Sequence, residues 1–173
     1  MNILSNNIRG IGCEVKRSWL RECRIQNHSF FVGLQEMKSR EIKNKLDRQI
    51  WDSSNFECEV IDPVGLSESI KGEGFLAIKV VWLGSRKSCC FVNVYAPQKP
   101  LRKRSMWNNL VDLINSDIDS CWFVFGDFNA VRLPEERLGF VFCQNSAYYF
   151  NEFLHSLGLL EIKMGGGVVD LHT

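Results

Sequence analysis

Apolar residues along this chain fall into short continuous runs that alternate with stretches of helical spacing. The short runs predict β-strands at residues 1–8, 30–34, 56–61, 75–82, 88–95 and 121–125. Apolar residues three or four positions apart predict helices over 14–26, from Ser39 to about Ile50, around Trp107 to Ile114, and from Ser146 to Leu157. Strands and helices that alternate in this way predict one α/β domain built from packed layers.

The ends of the predicted elements carry residues that usually mark turns and caps. Pro97 and Pro100 bracket a predicted loop, and Ser146 is a candidate N-cap for the last helix. Gly158 follows that helix at the position where a left-handed residue commonly ends it. Residues 159–162 are largely apolar again, and we interpret them as the start of a further strand.

The composition is that of an ordinary globular protein, with 45% apolar and 24% charged residues. The formal net charge of +1 gives no overall reason to expect a polyanionic partner. The positive charges are nevertheless grouped, at Lys99, Arg102, Lys103 and Arg104 and at Lys16, Arg17, Arg21 and Arg24. We interpret both groups as solvated faces of helices.

Seven cysteines, an odd number with no C-x-x-C pair, predict neither a zinc site nor a disulfide framework. Reduced thiols are typical of an intracellular protein, and the pattern does not distinguish the nucleus from the cytoplasm. The N-terminal stretch is polar by Ser5, so no signal peptide is predicted. No apolar run approaches the roughly 20 residues that a membrane helix requires. We therefore expect no membrane partner, and we expect a monomer.

Polar residues stand where several of the predicted strands end. Asn7 lies near the end of the first run, Glu36 follows the second, and Tyr95, Asp127 and Asn129 come at or after the ends of later runs. Singly, each is typical of a turn, a cap or the start of a helix. Together they predict one functional rim, because loops at strand ends are positioned by a rigid sheet.

Four motifs occur in order along the chain: SNNIRGIG, VGLQEMKS, FVNVYAPQ and VFGDFNAVR, the last followed by PEERLG. They resemble the successive motifs of the endonuclease/exonuclease/phosphatase superfamily, and in particular the apurinic-type endonuclease domain of plant long interspersed (non-LTR) retrotransposons. The resemblance covers residues 1–163 and leaves 164–173 as a non-homologous tail. It implies an α/β fold in which a two-sheet β-sandwich is flanked by helices in four layers, incomplete at the C-terminus.

The resemblance also implies a Mg²⁺-dependent (or Mn²⁺-dependent) endonuclease that hydrolyses phosphodiester bonds in DNA. A hard divalent ion neutralises phosphate charge and needs few protein oxygen atoms. Glu36 matches the family's metal-binding glutamate, and Asn7 matches the asparagine beside it. Asp127 matches the aspartate that orients or deprotonates the attacking water, and Asn129 the asparagine that helps to hold it. Tyr95 matches the tyrosine that contacts the scissile phosphate.

The chain departs from the family pattern in several places. The family has a Ser-Asp-His run near its C-terminus, whereas Asp170 and His172 are not adjacent and come too early to match it. Asn6 stands in place of the family's usual tryptophan, and Met37 in place of its usual threonine. The stretch after Gly65 runs on without the family's Gly-Gly strand pair, which we interpret as a deletion. These departures predict a truncated copy whose activity is lost or weak.

Two alternatives stay open beside a weakened nuclease. The chain is a competent Mg²⁺-dependent nuclease or phosphatase of the same superfamily, or it is a non-catalytic remnant whose basic groups bind nucleic acid or protein. The segment from about Met164 contains three consecutive glycines, and we expect it to pack poorly.

Overall fold

The computed structural model describes residues 2–37, 49–51, 69–82, 87–136 and 141–162. These residues form a two-stranded sheet, a four-stranded sheet and three helices, which confirms the predicted mixed α/β class. The strand predicted over 56–61, the segment from Met164 and, apart from residues 49 and 50, the helix predicted from Ser39 lie outside the described residues.

Most of the strands and helices follow the hydrophobic pattern. The strands are β1 (Asn2–Asn7), β2 (Ser29–Gln35), β3 (Ser69–Gly72), β4 (Phe75–Trp82), β5 (Lys87–Tyr95) and β6 (Cys121–Asp127). The helices are α1 (Glu14–Gln26), α2 (Pro100–Asn115) and α3 (Gln144–Ser156), with a single 3₁₀ turn at Pro134–Glu136.

Each sheet contains one parallel pair of strands joined by a helix. β1 pairs with β2 and α1 connects them, while β5 pairs with β6 and α2 connects them. The four-stranded sheet has the order β3-β4-β5-β6, and its first three strands are antiparallel. Parallel strands end at the same edge of a sheet, so each pair brings the two chain segments that follow its strands close together.

The two sheets contact each other through aromatic side chains. The ring of Phe31 on β2 stacks on that of Phe91 on β5, with 4.5 Å between centroids, and meets Phe125 on β6 edge-on at 5.6 Å. Gly33 permits this approach, because a Cβ atom at that position would lie 2.4 Å from the Phe125 ring. The inner side chains of β2 therefore face β5 and β6.

The larger hydrophobic core lies between the four-stranded sheet and the helices α2 and α3. Val92 and Val94 of β5 contribute from the sheet, and Leu110 of α2 is fully buried against them. Trp107 stands at the centre of an aromatic cluster, with ring centroids 5.4 Å from Phe150 and 4.7 Å from Phe153. Burial of aromatic rings of this size is a main source of stability for a domain of this length.

A smaller core supports the two-stranded sheet. It contains the buried side chains of Ile8, Ile11, Leu20 and Ile50, with Leu4, Trp19, Leu34, Met37 and Trp51 packed around them. Leu20 comes from α1, the helix predicted over 14–26.

The structure corrects two predicted boundaries and one predicted strand. Pro100 does not close a loop; it is the first residue of α2, where its missing N–H and fixed φ suit a helix start. The last helix begins at Gln144, so Ser146 is not its N-cap, whereas Gly158 follows the C-cap with a φ of 60° as predicted. Residues 159–162 form no strand.

Strand β3 is an element that the hydrophobic pattern did not predict. Ser69–Gly72 pairs with β4 across a two-residue turn at Glu73 and Gly74, and Gly74 has a φ of 86°. A glycine at the second turn position between two pairing strands is typical of a tight hairpin. The stretch interpreted as a deletion therefore contains a strand.

Candidate functional site

The predicted site residues lie where the two parallel strand pairs end. Asn7 closes β1 opposite Gln35, the last residue of β2, and Glu36 follows directly. Tyr95 closes β5 opposite Asp127, the last residue of β6. Both pairs of strand ends meet at one rim, which also carries Asn129 two residues beyond Asp127.

Two hydrogen bonds join the sheets at this rim. The Tyr95 hydroxyl donates to Glu36 Oε1 at 2.5 Å, and Asn7 Nδ2 donates to Asp127 Oδ2 at 3.1 Å. Each bond links one residue of the smaller sheet with one of the larger sheet. The predicted convergence of the five residues on one rim is confirmed.

Glu36 has a backbone conformation that glutamate rarely adopts. Its φ is 54°, in the left-handed region, and its carbonyl oxygen accepts a hydrogen bond from the Gly10 N–H at 2.7 Å. A non-glycine residue in this region costs about 1–3 kcal/mol and commonly marks a functional position. The strain is held in place by the loop after β1, where Ile11 N–H also bonds to the Met37 carbonyl at 3.1 Å.

Asn129 holds the segment after β6 through all of its polar groups. Its backbone N–H donates to Asp127 Oδ1 at 2.9 Å, and its side-chain Nδ2 donates to the Ala96 carbonyl at 2.7 Å. Its Oδ1 accepts from Gln98 Nε2 at 2.8 Å, and its φ is 47°. Asparagine tolerates the left-handed region better than most residues. Asn129 therefore orients Asp127 and connects it to the loop after β5.

Gly126 is required for the close approach of β6 to β5. Its φ is 127°, and a Cβ atom there would lie 2.1 Å from the Val94 carbonyl oxygen. The sequence predicted that the strand ends at this glycine, but β6 continues through it to Asp127. The glycine therefore serves to bring Asp127 alongside Tyr95 in register.

A polar layer lies directly beneath the rim, between the sheets. Gln35 is 5% exposed, and its Nε2 donates to Asn93 Oδ1 and, at 3.3 Å, to Ser5 Oγ. Asn93 Nδ2 in turn donates to the Leu34 carbonyl at 3.2 Å. Buried amides of this kind need such partners, and here they fix the register of the two sheets below the site.

The environment of Tyr95 keeps its phenol protonated. The hydrogen bond to Glu36 raises the pKa of Tyr95 to about 12, with burial and the negative charges of Glu36 and Asp127 acting in the same direction. The positive charge of Arg9, in the loop after β1, opposes the shift. Tyr95 therefore stays a hydrogen-bond donor above the pH at which an ordinary phenol ionises.

The oxygen atoms of the rim suit a hard divalent cation. Asn7 Oδ1 is buried and has no hydrogen-bond partner among the described residues, and it belongs to the residue that contacts Asp127. In the part of the chain that the structure describes, three or more His, Cys, Asp or Glu side chains nowhere form a metal-binding group. Mg²⁺ does not need such a group, because it binds one or two carboxylates and keeps water ligands. Glu36, Asp127 and Asn7 fit that requirement.

Lys103 contacts the site although the sequence interpretation placed it on a solvated face. It is 7% exposed, and its ammonium group donates to the carbonyl of Asn129. The signal was present in the sequence, because position 103 lies on the same helical stripe as Met106, Trp107 and Leu110. The helical periodicity predicts a buried position for Lys103, whereas its charge predicts an exposed one.

Comparison of the chain with models of known protein families and with curated proteins finds no match. None of the helices in the described ranges has the length and apolar composition needed to cross a membrane. The chemistry of the protein is therefore inferred from the residues of the rim.

Proposed function

We propose that the rim is the site of a metal-dependent phosphodiesterase that cleaves DNA, of the kind found in retrotransposon endonucleases of the endonuclease/exonuclease/phosphatase superfamily. The observation that carries the proposal is the pairing of Asn7 with Asp127 and of Glu36 with Tyr95 across two sheets. The stacking of Phe31 on Phe91 supports the two-sheet sandwich of that superfamily as the architecture.

The proposed roles follow from the chemistry of each side chain. Glu36 and Asn7 would hold a Mg²⁺ or Mn²⁺ ion, and that ion, when bound, neutralises charge on the scissile phosphate. The Asn7 amide suits this role because its oxygen is buried and unpartnered in the described structure while its nitrogen bonds to Asp127.

Asp127 is placed to orient the attacking water and accept its proton. Its Oδ1 accepts from the Asn129 N–H and its Oδ2 from Asn7 Nδ2, which fixes the plane of the carboxylate. Each carboxylate oxygen has two lone pairs, so acceptor capacity for a water remains. A base held in this way needs no reorganisation before the reaction.

Tyr95 supplies a donor for an oxygen of the phosphate. Its hydroxyl carries its proton at neutral pH, and the raised pKa, about 12, extends this to more alkaline pH. In the structure the hydroxyl donates its hydrogen bond to the Glu36 carboxylate. On binding of substrate, a phosphate oxygen would replace that carboxylate as the anionic acceptor.

We propose that turnover by this chain is slow. A phosphodiesterase site of this type also benefits from an imidazole that contacts the phosphate. Of the described histidines, His28 precedes β2 at the end opposite the rim, and His155 lies at the end of α3. Absence of one such transition-state contact commonly costs on the order of 10²–10³ in rate.

The test is nicking of supercoiled DNA and of a duplex with an abasic site, with Mg²⁺ and with a chelator. The expected result is slow, Mg²⁺-dependent nicking that Glu36→Gln abolishes. Glu152→Gln, which removes the same charge from an exposed position on α3, should leave the rate unchanged. Fast turnover that depends on Glu36 would show a competent nuclease instead. Salt-dependent DNA binding without any Mg²⁺-dependent cleavage would favour the non-catalytic alternative.

A further inference from the structure

The side chain of Lys103 is unusual because it is charged and buried within the apolar face of α2. It is 7% exposed, and Met106, Trp107 and Leu110 of the same face are buried with it. Removing an ammonium group from water is costly unless the group finds hydrogen-bond partners inside the protein. An apolar residue would suit this helical position better if packing were its sole purpose.

The ammonium group of Lys103 reaches the segment that carries Asp127. Its Nζ donates to the carbonyl oxygen of Asn129, the residue in the left-handed conformation. The N–H of Asn129 then donates to Asp127 Oδ1 at 2.9 Å. A continuous path of two hydrogen bonds therefore connects α2 to the carboxylate.

The neighbouring basic residues are directed elsewhere. Arg102 forms an exposed ion pair with Glu73, at 3.4 Å between Nη1 and Oε1. The Arg104 guanidinium lies over the Tyr149 ring, 4.5 Å from its centroid, and donates to the Tyr149 hydroxyl at 3.2 Å. Three of the four members of the basic group at the start of α2 thus have separate partners, and of these three it is Lys103 that contacts the rim.

We propose that Lys103 is a positioning residue of the candidate site. It holds Asn129 in the left-handed conformation and thereby fixes the direction of the Asp127 carboxylate. The proposal rests on the proposed function for its catalytic consequence, whereas its structural consequence is measurable without any catalysis.

The first experiment measures hydrogen exchange of the Asn129 backbone N–H by NMR. In Lys103→Met we expect exchange to become faster by on the order of tenfold, because the charge-assisted hydrogen bond from Lys103 to the Asn129 carbonyl is lost. Lys103→Arg, which keeps the charge and donors, should restore the parent rate. Arg102→Met is the matched control, since it removes one charge from the same turn without touching the rim.

Three results would overturn the proposal: unchanged exchange in Lys103→Met, an equal change in Arg102→Met, or failure of Lys103→Arg to restore protection. If Lys103→Met does not fold, as judged by circular dichroism, Lys103→Gln takes its place. Its neutral amide retains a donor, so we expect an intermediate exchange rate, and a rate equal to that of the parent would contradict the role of the charge.

The second experiment separates kcat from KM in the DNA-nicking assay. A positioning role predicts that Lys103→Met lowers kcat roughly tenfold with KM unchanged and that Lys103→Arg recovers it. A rise in KM alone would show direct DNA binding by Lys103 and overturn the positioning role. If the parent shows no nicking at all, the proposed function fails, and the exchange measurement still decides whether Lys103 positions the segment.

Discussion

The rim joins two parts of the molecule whose described hydrophobic cores differ in size. The smaller part consists of β1, β2 and α1, and within the described ranges its core has four buried residues, one of them Ile50 from the segment 49–51. The larger part consists of β3 to β6 with α2 and α3, and its core has ten buried residues within the described ranges. Glu36 and Asn7 come from the smaller part, whereas Tyr95, Asp127 and Asn129 come from the larger one. The candidate metal ligands thus lie on the part with the smaller described core, and the candidate base lies on the part with the larger one.

Both parts support their rim loops with basic side chains, but to different depths. In the smaller part, the half-buried Lys16 donates through Nζ to the Ile8 carbonyl at 2.9 Å. The half-buried Arg17 donates through Nη1 to the Ile11 carbonyl at 3.0 Å and, at the surface, to the Gly12 carbonyl at 2.7 Å. In the larger part, Lys103 makes the corresponding contact from a buried position. Lys16 and Arg17 are more accessible to water than Lys103, so we expect the loop after β1 to open more readily than the segment after β6.

The largest expected effect is the loss in free energy of unfolding when a leucine is truncated in either hydrophobic core. Leu110 and Leu20 are both 0% exposed, one in the larger core and one in the smaller. We expect Leu110→Ala to cost about 4–5 kcal/mol and Leu20→Ala about 2–3 kcal/mol, because the cost depends on how far the surroundings can collapse into the cavity. Urea unfolding measures both free energies. A larger loss for Leu20→Ala would reverse the comparison.

The next effect concerns the two glycines that allow close approach. Gly126→Ala should destabilise by about 3 kcal/mol or more, because it combines a φ of 127° with a Cβ 2.1 Å from a backbone oxygen. Gly33→Ala should cost less, about 1–2 kcal/mol, because its new Cβ meets the Phe125 ring, which can shift. Thermal unfolding of both variants checks the order, and equal losses would show that β5 and β6 are not held as tightly as the structure indicates.

The sequence predicted the secondary-structure elements and the residues that meet at the rim better than the contacts between distant parts of the chain. Alternating apolar runs located β1, β2, β4, β5 and β6, because these strands bury apolar side chains. Strand β3 was missed because its burial is slight and its main signal is the hairpin glycine Gly74. Long-range contacts such as Lys103 to Asn129 depend on tertiary packing, and no local pattern specifies which carbonyl a buried lysine meets.

The smallest effect tests whether the two parts are truly joined at the rim. Tyr95 is 40% exposed, and its pKa rises from 10.0 to about 12 chiefly because its hydroxyl donates to Glu36 of the smaller part. The folded phenol thus holds its proton to higher pH than the unfolded one. The stabilisation from this group is therefore fully present below about pH 10 and is lost as the pH rises towards 12.

The measurement is the ultraviolet absorbance of phenolate as a function of pH, taken as the difference between the parent and Tyr95→Phe. We expect the Tyr95 midpoint to lie well above 10.0 and to fall in Glu36→Gln, because a neutral amide no longer favours the protonated phenol. Glu152→Gln should leave it in place, since that charge is remote on α3. A Tyr95 midpoint at its ordinary value in the parent would mean that the bond to Glu36 is open in solution. The smaller part would then not hold Glu36 against Tyr95 at the rim.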